Sequence, residues 1–317
     1  MANRTIPVVD LSKFVTGSDQ DKADFIKSIG EAFHNVGFVG VVNHGISKDL
    51  VDGFYGSSKD FFSLPVDKKR SYEVKNMAGQ RGYTSFGKEH AKQSQVADLK
   101  EFFQIGQYVD GDKANTEEYP DNVSVTEVPT FNVHGKDLYK AFETTGGHLL
   151  RAIALYLGLD ENYFTHKIED GNSILRTIHY PPITEEPRTA IRAEQHEDIN
   201  LITLLVGASA GGLQLLNNND EWLDITPGED EIVINVGDML QRLTNNYLKS
   251  TTHRVVNPPK EEWHRPRLSI PFFLHPKSEM DLTCLDDCIT DDRPLAYEPT
   301  TAGEYLNERL REIGLKK

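Results

Sequence analysis

The sequence predicts a mainly β fold, a sandwich or barrel, with flanking helices. Three observations carry that reading. Between Ser173 and Leu274, six short β-rich runs (Ile174–His179, Ile199–Val206, Leu213–Leu216, Ile232–Val236, His253–Val256 and Leu268–Leu274) are separated by turn clusters such as Asn217-Asn218-Asn219-Asp220 and Pro227-Gly228. Ahead of them, Leu138, Phe142, Leu149 and Ile153 recur at intervals of four and seven, which predicts a long helix from Lys136 to Leu157 capped by Gly158. Behind them, Thr301-Ala302-Gly303-Glu304 is a capping-box pattern opening a helix that contains Tyr305, Leu306 and Leu310.

The remaining elements follow in order. Ile6–Leu11 reads as a short strand, and Asp21–Val36 places Phe25, Ile26, Ile29 and Phe33 on one helical stripe that Gly37 ends. Phe38–Val42 is nearly all apolar, as a buried strand is. Ser47 caps a second helix that carries Leu50, Val51, Phe54 and Phe61 and breaks at Leu64-Pro65. From Lys68 to Pro129 the chain is polar with scattered glycines. Its one convincing strand is Glu101–Ile105, and the stretch from Lys75 to Gln95 has the character of a mobile lid. The expected organisation is an N-terminal α/β region, 1–130, packed on a β core with its preceding and C-terminal helices, 131–317, the two forming one compact unit.

Composition narrows the function. The chain of 317 residues carries 49 acidic and 34 basic side chains, a formal charge of −15, which lacks the basic surplus that a nucleic-acid binder uses to displace counterions. With 38% hydrophobic and 26% charged residues it is an ordinary globular composition. The N-terminus has no apolar signal segment and no stretch approaches the roughly 18 apolar residues of a membrane span, so a cytoplasmic protein without a membrane partner is expected. Cys284 and Cys288 are too few for a disulfide scaffold and form no CxxC pair, which argues against structural zinc. The sequence is silent on oligomeric state.

Most of the 11 histidines need no special account. His196 differs because His196-Glu197-Asp198 runs directly into the strand pattern Ile199–Val206. Alternation along a strand puts His196 and Asp198 on one face, roughly 6 to 7 Å apart at their Cα atoms, close enough to share one ion. An HxD pair alone is a weak signal and needs a third ligand. His253, at the start of Thr251-Thr252-His253-Arg254-Val255-Val256, supplies it. Two imidazoles and a carboxylate make the facial triad of non-haem iron(II) oxygenases, while zinc stays open as a chemical alternative. The HExxH helix of a zinc protease is absent, because Asn200 stands four places after His196.

Arg267-Leu268-Ser269 opens the strand ending in Phe273, and alternation puts Arg267, Ser269 and Phe273 on one face. An arginine facing the inside of a barrel is costly unless it meets an anion. A guanidinium fork beside a hydroxyl suits a carboxylate of a small dianionic ligand. The plainer reading is an edge-strand arginine paired with a nearby aspartate.

Taken together, these residues resemble the 2-oxoglutarate- and iron(II)-dependent dioxygenases, in the branch related to isopenicillin N synthase and the plant flavonoid and gibberellin oxygenases. The resemblance covers nearly the whole chain. Ile6-Pro7-Val8-Val9-Asp10-Leu11, Gly37 to Ile46, Phe61-Phe62-Ser63-Leu64-Pro65 and Asp98-Leu99-Lys100-Glu101-Phe102 look like the branch's N-terminal segments. Gly211-Gly212-Leu213-Gln214, Asn235 to Gln241 and Lys249 to Val255 are similar to its most recognisable C-terminal stretches. The resemblance implies a double-stranded β-helix, or jelly roll, with Fe(II) held at the barrel mouth by His196, Asp198 and His253. It implies that Arg267 and Ser269 bind the distal carboxylate of 2-oxoglutarate with help from Tyr180. Many members carry Asn-x-Tyr there, whereas this chain reads Ile178-His179-Tyr180. His44 lies in a matching framework segment and is left out of the site.

The implied chemistry is oxidative decarboxylation of 2-oxoglutarate with O₂, giving succinate and CO₂ and coupled to hydroxylation or desaturation of a small molecule. Halogenation is disfavoured because Asp198 fills the position that halogenases leave open. Within the same fold the alternatives are a 2-oxoglutarate-independent oxidase of the isopenicillin N synthase type, or an ethylene-forming type. A non-catalytic metal-binding or ligand-sensing barrel is the rival class, against which the intact triad with Arg267 and Ser269 argues. Phe273, Phe102 and Arg81 are the substrate-contacting candidates, and an inward Arg81 would favour an acidic substrate.

Overall fold

The computed structural model describes residues 6–75, 77, 80–89, 97–109, 116, 119–207, 210–228 and 230–312. The chain opens with β1 (Val8–Asp10), α1 (Leu11–Val15), α2 (Asp19–Asn35), β2 (Phe38–Val42), α3 (Lys48–Phe62), α4 (Val66–Arg70), β3 (Gly82–Thr84) and β4 (Glu101–Gly106). Next come α5 (Pro129–Tyr156), α6 (Thr165–Ile168), β5 (Ile174–Tyr180), β6 (Ala193–His196), β7 (Ile202–Val206), β8 (Leu213–Leu216) and β9 (Trp222–Asp224). β10 (Ile232–Val236), α7 (Asp238–Leu243), β11 (His253–Val255), β12 (Arg267–Leu274) and α8 (Ala302–Glu312) complete it. No helix among the described residues is long and apolar enough to cross a membrane.

The strands form two sheets. The larger has the order β1-β2-β10-β7-β12-β5-β4-β3, and the smaller β6-β11-β8-β9. Every pairing is antiparallel except β1 with β2. This is the β core that the six short runs predicted. Helices nevertheless hold more of the chain than strands, 34% against 21%, because the strands are short.

Alternation on the larger sheet separates a dry face from a working one. Leu268, Ile270, Phe272 and Leu274 of β12 join the main hydrophobic core beneath α2, α3 and α5, where Phe142 stacks on Phe272 at 5.3 Å between ring centroids. Arg267, Ser269, Pro271 and Phe273, the alternate residues, line a cavity of about 640 Å³ between the sheets. β5 repeats the pattern, with Leu175 in the core and Arg176, Ile178 and Tyr180 facing the cavity. A second, smaller apolar cluster that includes Phe38, Leu215 and Val233 closes the space between the sheets.

Local signals act as expected at several ends. Ser47 accepts from the Leu50 amide at 3.2 Å, and Thr301 and Glu304 cap each other's backbone amides reciprocally. Gly37 ends α2 at φ +76°, a conformation that favours glycine. The long helix differs from expectation, starting at Pro129 rather than Lys136, because proline is well suited to a first helical turn.

One expectation fails in an instructive way. His196 and Asp198 do not share a strand running into Ile199–Val206: β6 ends at His196, and Asp198 lies in the connection that crosses from the smaller sheet to β7 in the larger. The crossing is fixed by Asn200, whose side chain donates to the Ile202 carbonyl at 2.8 Å, and by Gly237, whose amide donates to the Leu201 carbonyl at 2.9 Å. A Cβ on Gly237 would collide with the Asn200 carbonyl oxygen, so only glycine permits this approach.

Candidate metal centre

His253, at the start of β11, pairs directly with His196, at the end of β6. The antiparallel ladder therefore sets the two imidazoles side by side, with ring centroids 4.4 Å apart. Asp198 Oδ1 lies 3.8 Å from the Nε2 atom of each. One ligand atom from each of the three residues falls within 4.8 Å of the others, and this is the one such cluster of metal-binding side chains among the described residues.

Surrounding hydrogen bonds orient each donor. His196 Nδ1 lies 2.7 Å from the Glu194 carbonyl and His253 Nδ1 lies 3.1 Å from the Thr251 carbonyl. A carbonyl only accepts, so Nδ1 carries the proton in both rings and the Nε2 lone pairs face the site. Asp198 Oδ2 accepts from Thr203 Oγ1 at 2.6 Å and Asn235 Nδ2 at 2.8 Å, which leaves Oδ1 turned to the imidazoles. Burial, reinforced by His253, lowers the His196 pKa and favours the neutral ligand form. Burial would raise Asp198, but His253, His196 and its two hydrogen-bond donors outweigh it and hold the carboxylate ionised. Two imidazoles and a carboxylate, pre-oriented at one wall of the cavity, fit a divalent transition metal.

Thr203 and Asn235 were not singled out from the sequence. Asn235 stands in a stretch that carried the family resemblance, whereas Thr203 is hidden in an apolar run. Thr203→Val keeps the shape and removes the donor, and is expected to weaken metal affinity about tenfold or more. Isothermal titration of iron(II) into the wild-type and variant proteins checks this, and equal affinities would remove Thr203 from the site.

Further along the cavity, Arg267 is only 1% exposed, and pairs on the ladder with Tyr180, whose ring centre is 5.0 Å from its guanidinium carbon. Its Nε donates to the Ala210 carbonyl at 3.1 Å, while Nη1 is buried without a partner. No carboxylate among the described residues lies within salt-bridge distance of it, so the plain reading of an arginine paired with an aspartate does not apply. A buried guanidinium without a carboxylate partner, and with Nη1 unpaired, is costly unless an anion meets it. Ser269 lines the same cavity two residues on, directly across the ladder from Ile178, so the wall is apolar at that point.

Of the three substrate-contacting candidates, Phe273 lines the cavity and the other two do not. Arg81 is buried with Nε on the Pro120 carbonyl, Nη1 on the Gln80 carbonyl and Nη2 on Gln107 Oε1, a structural clamp on the segments that flank β3 and β4. Burial lowers its pKa to about 10. Phe102 belongs to the apolar cluster between the sheets, 4.2 Å beneath the Arg176 guanidinium. In the expected lid, residues 76, 78, 79 and 90–95 lie outside the described residues. Glu89, at the end of its described part, reaches the cavity wall.

Nothing in the sequence pointed to a buried charged group beside the triad. Lys100 Nζ is 2.7 Å from Glu89 and 2.8 Å from Asp98, and Arg176 reaches Glu89 at 3.3 Å while its Nε donates to Gln104 at 2.9 Å. Burial opposes ionisation of Glu89, yet Arg176 and Lys100 bring its pKa down to about 2. Leu306, Arg309 and Leu310 of α8 border the cavity as well.

Comparison with known proteins agrees with this geometry. Residues 6–127 match the model described as the non-haem dioxygenase in morphine synthesis N-terminal family, and residues 171–276 match the 2OG-Fe(II) oxygenase superfamily. The 2-oxoglutarate-dependent dioxygenase htyE of Aspergillus rugulosus is 30% identical over 96% of this chain and 98% of its own length. A crystal structure assigned to the 2OG-Fe(II) oxygenase family, from Caulobacter crescentus, superposes with a TM-score of 0.88 at 42% identity, covering 98% of this chain and 99% of that one. A full-length Neurospora crassa protein crystallised in complex with alpha-KG and thymine superposes with a TM-score of 0.86 at 31% identity, over 98% and 97% of the two chains.

Proposed function

Because the chain belongs to the 2OG-Fe(II) oxygenase superfamily and is an iron(II)- and 2-oxoglutarate-dependent dioxygenase, we propose that His196, Asp198 and His253 hold the iron and that Arg267, Ser269 and Tyr180 receive the distal carboxylate of 2-oxoglutarate. The observation that carries the assignment is the pairing of a pre-oriented two-histidine, one-carboxylate cluster with a buried guanidinium that has no carboxylate partner in the same cavity. When bound, iron(II) and 2-oxoglutarate supply O₂ activation coupled to oxidative decarboxylation, with succinate and CO₂ as products and a substrate C–H bond as the target.

The chain's own residues do the positioning. Asn235 and Thr203 keep Asp198 Oδ1 aimed at the site, and the Glu194 and Thr251 carbonyls keep both Nε2 atoms facing it. Arg267 fixes one end of the keto acid by a charge-assisted fork, with Ser269 Oγ beside it to donate a further hydrogen bond. Leu205, Ile178 and Pro271 keep water from the space between. The primary substrate is a small molecule that enters the remaining volume towards Phe273. In this respect the thymine complex of the Neurospora crassa protein supports the reading, since a small ligand and alpha-KG are held together there.

Anaerobic addition of iron(II) and 2-oxoglutarate to the wild-type protein tests the proposal. A weak visible charge-transfer band is expected, and on admission of O₂ succinate should form. Iron bound without the band would favour a 2-oxoglutarate-independent oxidase instead.

A further inference from the structure

Four cations line the cavity: Lys100, Arg176, Arg267 and Arg309. Three have carboxylate partners within the protein. Lys100 lies between Glu89 and Asp98, Arg176 is held by Glu89, and Arg309 faces Asp238 at 3.8 Å and Glu312 at 2.6 Å. Glu89, Asp98, Lys100 and Arg176 together carry two charges of each sign and are self-compensating. Glu194 and Glu197 add further carboxylates to the wall. Among the described residues Arg267 is therefore the one lining cation without an anionic partner, and under the function proposed above it receives the keto acid.

Among the described lining residues, a substrate carboxylate would find no free cation beyond Arg267. It would face Glu89, Asp98 and Glu194, at a cost in desolvation and like-charge repulsion. Arg81, the group that would have favoured an acidic substrate, does not line the cavity and is engaged by Pro120, Gln80 and Gln107.

What this end of the cavity offers instead is a flat wall with hydrogen-bonding groups. The Arg176 guanidinium lies 4.2 Å from the Phe102 ring centre and 5.3 Å from that of Phe273, and its fork is fixed by Gln104 and Glu89. Phe273 is half-buried and its ring borders the cavity. His275, two residues on, also lines the cavity. It is 8% exposed and its Nδ1 is buried without a partner among the described residues. An unmatched buried imidazole nitrogen calls for a ligand that donates or accepts a hydrogen bond. Burial keeps the ring uncharged by lowering its pKa to about 4.

We infer that the primary substrate is an uncharged small molecule with a hydrogen-bonding edge, seated against Phe273, Arg176 and His275. This rests on Arg267 being occupied by 2-oxoglutarate, and the test separates the two claims. Protein loaded anaerobically with iron(II) and 2-oxoglutarate is titrated with matched pairs, nicotinamide against nicotinate and benzamide against benzoate, and the shift of the charge-transfer band gives a Kd for each. The amides are expected to bind about a hundredfold more tightly than their acids. Glu89→Gln, which removes one negative charge from the compensated group, is expected to move the preference about tenfold towards the acids. Acids that bind as well as the amides, pairs of which neither member shifts the band, or a preference unchanged in Glu89→Gln would each overturn the inference while leaving the cosubstrate assignment intact. If the band never forms in the wild-type protein, the cosubstrate assignment fails first and takes this inference with it.

Discussion

In the His253→Ala protein, anaerobic addition of iron(II) and 2-oxoglutarate is expected to leave the visible spectrum flat and succinate production at background. The substitution removes one of three ligands from a cluster whose other two members cannot close the coordination set alone, so metal affinity should fall by at least about a hundredfold. The loss should be confined to the site. His253 lines the cavity and meets Phe38 edge-on at 5.5 Å between ring centroids, but it is absent from both hydrophobic clusters. A thermal melt close to that of the wild type together with no charge-transfer band is the expected pair of results. A full-strength band in His253→Ala would remove this residue from the metal site, whatever else the enzyme does.

The second large effect belongs to Arg267→Ala, and it should separate binding of the metal from binding of the cosubstrate. Iron affinity measured without 2-oxoglutarate is expected to stay within about threefold of wild type, because no contact joins Arg267 to the triad. The 2-oxoglutarate affinity should fall by about a thousandfold, the scale expected when one partner of a buried charge pair is removed. Titration of the charge-transfer band with 2-oxoglutarate reads this directly. Arg267→Lys should recover only part of the loss, since an ammonium keeps the charge and forfeits the planar fork. An unchanged 2-oxoglutarate affinity in Arg267→Ala would mean that the carboxylate is received elsewhere in the cavity.

Much of this was legible in the residues alone. The strands Leu213–Leu216 and Ile232–Val236 have the bounds that alternation and turn clusters predicted. The HxD pair, the distant histidine and the RxS pair stood out because charged residues at strand positions are rare without a purpose. What stayed hidden is what depends on contacts between distant parts of the chain. The residues from His196 to Val206 read as one segment, and nothing local announces that Asn200 and Gly237 turn them between two sheets. Thr203 and Asn235 look like ordinary members of apolar strands until Asp198 is placed beside them. Arg81 lies in a polar, glycine-bearing stretch without periodicity, and Phe102 in a strand whose residues are buried on both faces, so alternation does not say which face meets the cavity. Their packing against Gln107 and Arg176 is set by the pairing of β4 with β5.

The order of strands in the larger sheet also governs how the molecule comes into being. β2 pairs through Val41 with Ile232 of β10, and β4 pairs through Glu101 with His179 of β5, so strands made early close both flanks of strands made late. A growing chain therefore leaves the ribosome with an apolar ribbon, Phe38–Val42, whose second partner, β10, has yet to be synthesised. Loop closure over such separations is slow, and the open edge is available to other nascent chains meanwhile. The strand order thus places the exposure of an unpaired apolar edge before completion of the sheet, the stage at which association with other chains competes with folding.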